Sequence, residues 1–158
     1  MTQPFRDRSK LAKSLHIANK LISGCIFLSY PLLLLWLFFQ KSPFLIKAIL
    51  IPLDGFILVT VFRGLISRKR PYEKFGVLPV IPKDTKGKSF PSRHVFSAAV
   101  IALTFLQLPQ AAWIGILFFV FSVILAGIRV VSGVHYISDV LAALVWAGVV
   151  AAIGFYLF

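Results

Sequence analysis

The chain has 158 residues, 59% of them hydrophobic and 14% charged, with 17 Lys/Arg against 5 Asp/Glu for a net charge of +12. Soluble domains carry about 25% charged residues; here the charges are bunched, and stretches 21–40, 95–128 and 140–158 hold none. Since roughly 20 apolar residues cross a bilayer core, a soluble fold is excluded, and the flanking positive charge suits lipid headgroups, a topology signal or a phosphate site better than nucleic acid.

Residues 1–20 are basic, and Phe5, Leu11, Leu15 and Ile22 give them one weak apolar face, as in an interfacial helix or an orienting tail. The apolar run that follows is long enough to span and lacks a small-residue cleavage site, which argues against a removed signal peptide. The first span is expected over about 21–40. Its Cys25 is the single cysteine, so no internal disulfide forms. A second span, about 43–62, contains Lys47, Pro52 and Asp54, where a helix break at Pro52–Gly55 with a satisfied carboxylate and a functional Asp54 stand as equal readings. Asp54 is a functional candidate because carboxylates are costly inside a membrane.

A polar loop, about 63–91, carries most of the basic residues. The third span starts near Ser92 and ends near Leu108, where the proline of "QLPQ" forces a turn. The fourth covers about 111–128. After "RVVSGVHYISD" the fifth begins near Ser138 and runs to the end. In it Ala143, Ala147 and Ala151, and Gly148 and Ala152, recur every four residues and allow close helix approach. The expected fold is therefore all-α: one integral membrane helical bundle over 1–158, with about five transmembrane helices and an N-terminal interfacial helix. Five spans put the N-terminus, the 63–93 loop and the 129–139 segment on one side, with all but Lys41 and Lys47 of the basic residues. The positive-inside tendency makes that side cytoplasmic.

Three polar clusters mark that side. In "RGLISRKRP" Arg63 and Arg70 are seven apart. One helix would stack them about 10 Å apart, and Pro71 would stop it. Taken alone, the pair suits snorkelling anchors as well as a phosphate grip. In "FPSRH" a Pro-Ser pair precedes an apolar run, a helix N-terminus signature that favours an anion among Ser92, Arg93 and His94. In "IRVVSGVHYISDV" His135 and Asp139 are four apart; on a helix the carboxylate would orient the imidazole and leave its other nitrogen free. Arginines around two histidines repel a cation, so a metal fits poorly and phosphate chemistry fits well.

These clusters resemble the signature of the type 2 phosphatidic acid phosphatase superfamily: Lys-x6-Arg-Pro, Pro-Ser-Gly-His and Ser-Arg-x5-His-x3-Asp. Here they read Arg63-x6-Arg70-Pro71, Pro91-Ser92-Arg93-His94 and Ile128-Arg129-x5-His135-x3-Asp139. The order and spacings agree over about residues 50–155. The resemblance implies a phosphatase that needs no metal or cofactor and works through a phosphohistidine. His135 would attack phosphorus, Asp139 would orient it, and His94 would protonate the leaving oxygen. Arg63, Arg70, Ser92 and Arg129 would hold the phosphoryl oxygens, and Arg93 would point away or meet a second phosphate or acidic headgroup. Three positions depart from the pattern: Arg63 for lysine, Arg93 for glycine and Ile128 for serine. The implied substrate is a phosphorylated lipid in the bilayer, such as phosphatidylglycerophosphate or phosphatidate on the cytoplasmic face, or undecaprenyl diphosphate on the outer one. A lipid phosphotransferase and a non-catalytic anionic-lipid binder are the readings from other classes. No residue pattern speaks to oligomeric state.

Overall fold

The computed structural model describes residues 9–81, 83 and 85–157, and among these every regular element is helical. The order is α1 (Ser9–Phe39), α2 (Phe44–Ile66), a short α3 (Pro71–Phe75), α4 (Arg93–Leu106), a 3-10 turn (Pro109–Ala111), α5 (Ala112–Val131) and α6 (Ile137–Tyr156). Four of these stretches are long and apolar enough to cross a membrane. Outward-facing side chains are large and apolar, among them Leu28, Phe39, Ile46, Leu65, Trp113 and Val145. Such a surface is stable only against lipid, and the chain is a multi-pass membrane bundle.

Helix α4 sits at the centre, packed on α1, α2, α5 and α6. Its 14 residues rise about 21 Å, short of a bilayer core of about 30 Å. Protein encloses it, and nine of its side chains are buried, so bilayer thickness does not dictate its length. Val59, Val95, Phe96, Ala99, Val100, Val140, Ala143 and Ala147 form the core beneath its N-terminal half. A second core, with Ile26, Leu37, Ala98, Ile101, Phe105, Phe118 and Leu125, joins α1 to α4 and α5.

Several expectations are corrected. The described part of the basic segment is no separate interfacial helix, because α1 runs unbroken from Ser9. There Leu15, Ala18 and Ile22 pack on Ile81 and Val134 in the loops and on Ile128 near the end of α5. Phe5 and the side chain of Leu11 lie outside the described residues. No break occurs at Pro52–Gly55: Pro52 is inside continuous α2, as neighbouring helices permit. Gly55 serves close packing, for a Cβ there would stand 2.7 Å from Phe96 Cζ and 2.8 Å from Val150 Cγ1. Asp54 is exposed on α2. On α6, Ala143, Ala147 and Ala151 are buried as expected. Gly148 and Ala152 face outward, and a Cβ at Gly148 meets nothing within 4 Å.

Candidate active site

Arg63 and Arg70 do not share a helix. α2 ends at Ile66, where Ser67 turns left-handed at φ 42° and gives its N–H to Arg63 O. Pro71 starts α3 instead of stopping a helix. Proline forces the preceding residue extended and is itself favoured in the first helical turn, and Arg70 has φ −77° and ψ 159°. The turn swings Arg70 back over the bundle. Its Nε donates to Gly87 O at 3.2 Å and its Nη1 to Val134 O at 3.3 Å, 3.5 Å from His135 Nε2. Arg63 reaches across from α2 to donate to Pro91 O at 2.9 Å.

Ser92 caps α4 in extended conformation, so the predicted helix start is correct, but its hydroxyl makes no capping bond. The first amides of a helix have no intrahelical acceptor, and here they begin at Arg93 and His94. His94 is exposed, its ring 6.0 Å from Phe27 in an edge-on contact, and His135 lies within its electrostatic reach.

His135 lies not on a helix but in the turn before α6, which the positive φ of Gly133 (73°) allows. The predicted His–Asp contact forms nonetheless, with His135 Nδ1 3.3 Å from Asp139 Oδ2. Asp139 is fully buried at the third position of α6 and also accepts the Tyr136 N–H at 3.0 Å, so one carboxylate caps the helix and orients the imidazole. With Nδ1 turned to the carboxylate, Nε2 is the nitrogen left to react. Burial holds the His135 imidazole down to about 4, against the upward pull of its Asp139 hydrogen bond. The ring is neutral at physiological pH.

Three residues outside the predicted set join the site. Arg68 Nη1 donates to Asp139 Oδ1 at 2.9 Å and to Ser138 Oγ at 2.7 Å, and its guanidinium stacks 4.0 Å over the Tyr136 ring. Ser89 Oγ donates to Asp139 Oδ2 and lies 3.4 Å from His135 Nδ1. Lys83 is half-buried; burial first, then the charges of Arg70, Arg129, Arg63 and Arg93, hold its ammonium below the ordinary lysine range. Backbone bonds lock the segments together: Ser92 N–H to Asp139 O at 3.0 Å, Ser89 N–H to Arg68 O at 2.9 Å, and His135 N–H to Arg129 O at 3.2 Å.

The charge balance is one-sided. Arg63, Arg70 and Arg129 are only 5%, 2% and 4% exposed, while Asp139 is the one buried carboxylate among the described residues. It is already engaged by Arg68 and His135. Arg129 Nε and the Ser92 hydroxyl are buried without any partner. Uncompensated buried cations and orphaned donors are costly, and an anion between them would satisfy both. Ile128 packs on Ile81 and Val134, replacing the family's serine hydroxyl with an apolar contact behind Arg129. Among the described residues no three His, Cys, Asp or Glu side chains are grouped to hold a metal.

Two grooves flank the site. One of about 580 Å³ runs between α1, α2 and α4, with Arg93 and His94 at its polar end and Phe27, Leu34, Pro52 and Phe56 along it. The other, about 540 Å³, includes His135, Arg68, Phe75 and Tyr136.

The chain's fold is similar to that of Aquifex aeolicus LpxE, at 22% identity and TM-score 0.73, covering 93% of this chain and 86% of that one. It is also similar to the first transmembrane PAP2 type phosphatidylglycerolphosphate phosphatase from Bacillus subtilis, at 23% identity and TM-score 0.63, covering 91% and 80%. No curated protein matches the chain. The model of the PAP2 superfamily matches residues 44–158, spanning all three polar clusters, and the chain therefore belongs to the PAP2 superfamily.

Proposed function

We propose that this protein is a membrane lipid phosphatase that removes a terminal phosphate from a lipid through a phosphohistidine, without a metal or cofactor. The observation that carries this reading is the buried, anion-deficient cradle of Arg63, Arg70 and Arg129, with the unpartnered Arg129 Nε and Ser92 Oγ beside a neutral His135. His135 Nε2 gives its lone pair to phosphorus as the phosphorus–oxygen bond to the lipid breaks. That bond's electrons go to the leaving oxygen, which takes a proton from His94. Asp139 balances the charge gained on the imidazole. Water then attacks phosphorus and gives its proton to His94, and the nitrogen–phosphorus bond returns its electrons to Nε2 as phosphate leaves. The arginines stabilise the charge spread over the equatorial oxygens in both steps.

The apolar groove beside His94 suits a lipid tail entering from the bilayer. A phosphatidylglycerophosphatase among the structural neighbours favours a phosphorylated glycerolipid. The site's face also carries most of the basic charge, which supports a cytoplasmic orientation. The test is phosphate release by purified protein in detergent with chelator present, from phosphatidylglycerophosphate, phosphatidate and undecaprenyl diphosphate. Release lost in His135→Ala is expected. No release from any of them, or release untouched by that variant, overturns the reading.

A further inference from the structure

Arg93 stands at the rim of the phosphate cradle, within electrostatic reach of Arg63 and Arg70. It stands where the family pattern has glycine, and unlike Arg63, Arg70 and Arg129 it is exposed. Its guanidinium carbon lies 5.7 Å from the centre of the Phe56 ring on α2. With His94 it forms the polar end of the 580 Å³ groove, whose remaining lining is apolar apart from Tyr30 and Ser97. No carboxylate lines this groove, and no ion pair ties Arg93 down among the described residues. A permanent cation without a counter-ion therefore faces an apolar passage.

The reaction's geometry says what meets it. If His135 attacks from one side and His94 protonates the oxygen leaving on the other, the leaving group extends past His94 into this groove. The first atoms beyond the leaving oxygen then pass Arg93. Phosphatidate presents neutral ester oxygens there, whereas a lipid diphosphate or a phosphodiester-linked phosphate presents a second anion. A planar guanidinium grips such a group through two parallel hydrogen bonds.

We propose that Arg93 reads a second phosphate on the leaving group, which makes this a phosphatase for lipids bearing two phosphates. The inference rests on the hydrolytic reading above and adds the substrate class. During cleavage the leaving oxygen still takes its proton from His94, and Arg93 offsets the negative charge that the leaving group carries away.

The test compares kcat/KM within matched pairs in mixed micelles: a prenyl diphosphate against the same prenyl monophosphate, and phosphatidylglycerophosphate against phosphatidate. The wild-type protein is expected to favour the two-phosphate member of at least one pair by about tenfold or more, the scale of one charge-assisted contact. In Arg93→Gly that ratio should fall by about tenfold, with Arg93→Lys between the two. The pair whose ratio falls identifies the second phosphate as part of a diphosphate or a phosphodiester. Because each ratio is taken within one preparation, partial misfolding cancels. Equal ratios in wild type and Arg93→Gly, or an equal loss on all four lipids, overturn the inference even where His135→Ala confirms a phosphatase. Silence of wild type on every lipid instead overturns the hydrolytic reading beneath it.

Discussion

Asp139 meets more of the site than any other residue. It caps α6, orients His135, accepts from Ser89 and is clamped by Arg68, which lies 71 positions away in sequence. Arg68 is 38% exposed, so its contribution to stability is small. Its contribution to position is larger, because it holds Oδ1 and so fixes which carboxylate oxygen faces the imidazole. Arg68→Gln should lower kcat by about tenfold to a hundredfold, the cost of a slightly misplaced catalytic group. KM should change little, and Arg68→Lys should recover part of the loss. An equal loss in both variants would make the clamp merely structural. In the proposed mechanism His135 attacks only when neutral, so it sets the acid side of the pH profile. With its imidazole held down to about 4, kcat/KM should not fall on lowering pH through 6.5, where an ordinary histidine would protonate and stop attacking, and protonation of the acid His94 should only raise it. The fall assigned to this residue should come only near 4. The unfolded chain binds a proton at His135 in that window while the folded one does not. Stability from this group is therefore full above about 6.5 and is lost as pH drops through about 4.

At the scale of elements, close helix contacts hold the cluster in place. At Gly115 on α5, a Cβ would stand 2.7 Å from the Leu106 amide nitrogen and 2.9 Å from Ala102 O on α4, and backbone cannot yield as a side chain does. Gly115→Val should therefore cost about 1–3 kcal/mol, read as a lowered Tm in detergent. Gly148→Ala, where nothing lies within 4 Å, should leave Tm nearly unchanged. A silent Gly115→Val would mean that α5 and α4 are not in register as described. The apolar runs announced α2, α5 and α6 closely, and the Pro-Ser pair announced the start of α4. The loop between Ile66 and Pro71 was misread, because seven-residue spacing has the same appearance on one helix as across a turn. Only the left-handed Ser67 and the extended Arg70 separate the two cases.

At the scale of the whole molecule, charge asymmetry is the leading feature. The positive-inside tendency predicts the orientation directly. In a Cys25→Ser background, a membrane-impermeant thiol reagent applied to intact cells should label Lys41→Cys and spare Lys86→Cys; both positions are exposed. The reverse pattern would turn the site outward and shift the substrate search to lipids of the outer leaflet.

The sequence by itself determined the membrane class, the helical runs and the three motif segments, because hydrophobic runs and local spacing are properties of neighbouring residues. It also determined the His135–Asp139 pairing, which survives the turn that replaces the expected helix because four residues span either conformation. The tertiary structure alone decided that Arg68 and Ser89 belong with that pair and that Arg93 lines the groove. Those assignments depend on where distant segments meet, and no local period encodes a contact made across 71 residues. Packing around the central α4 brings those segments together at one end of the bundle.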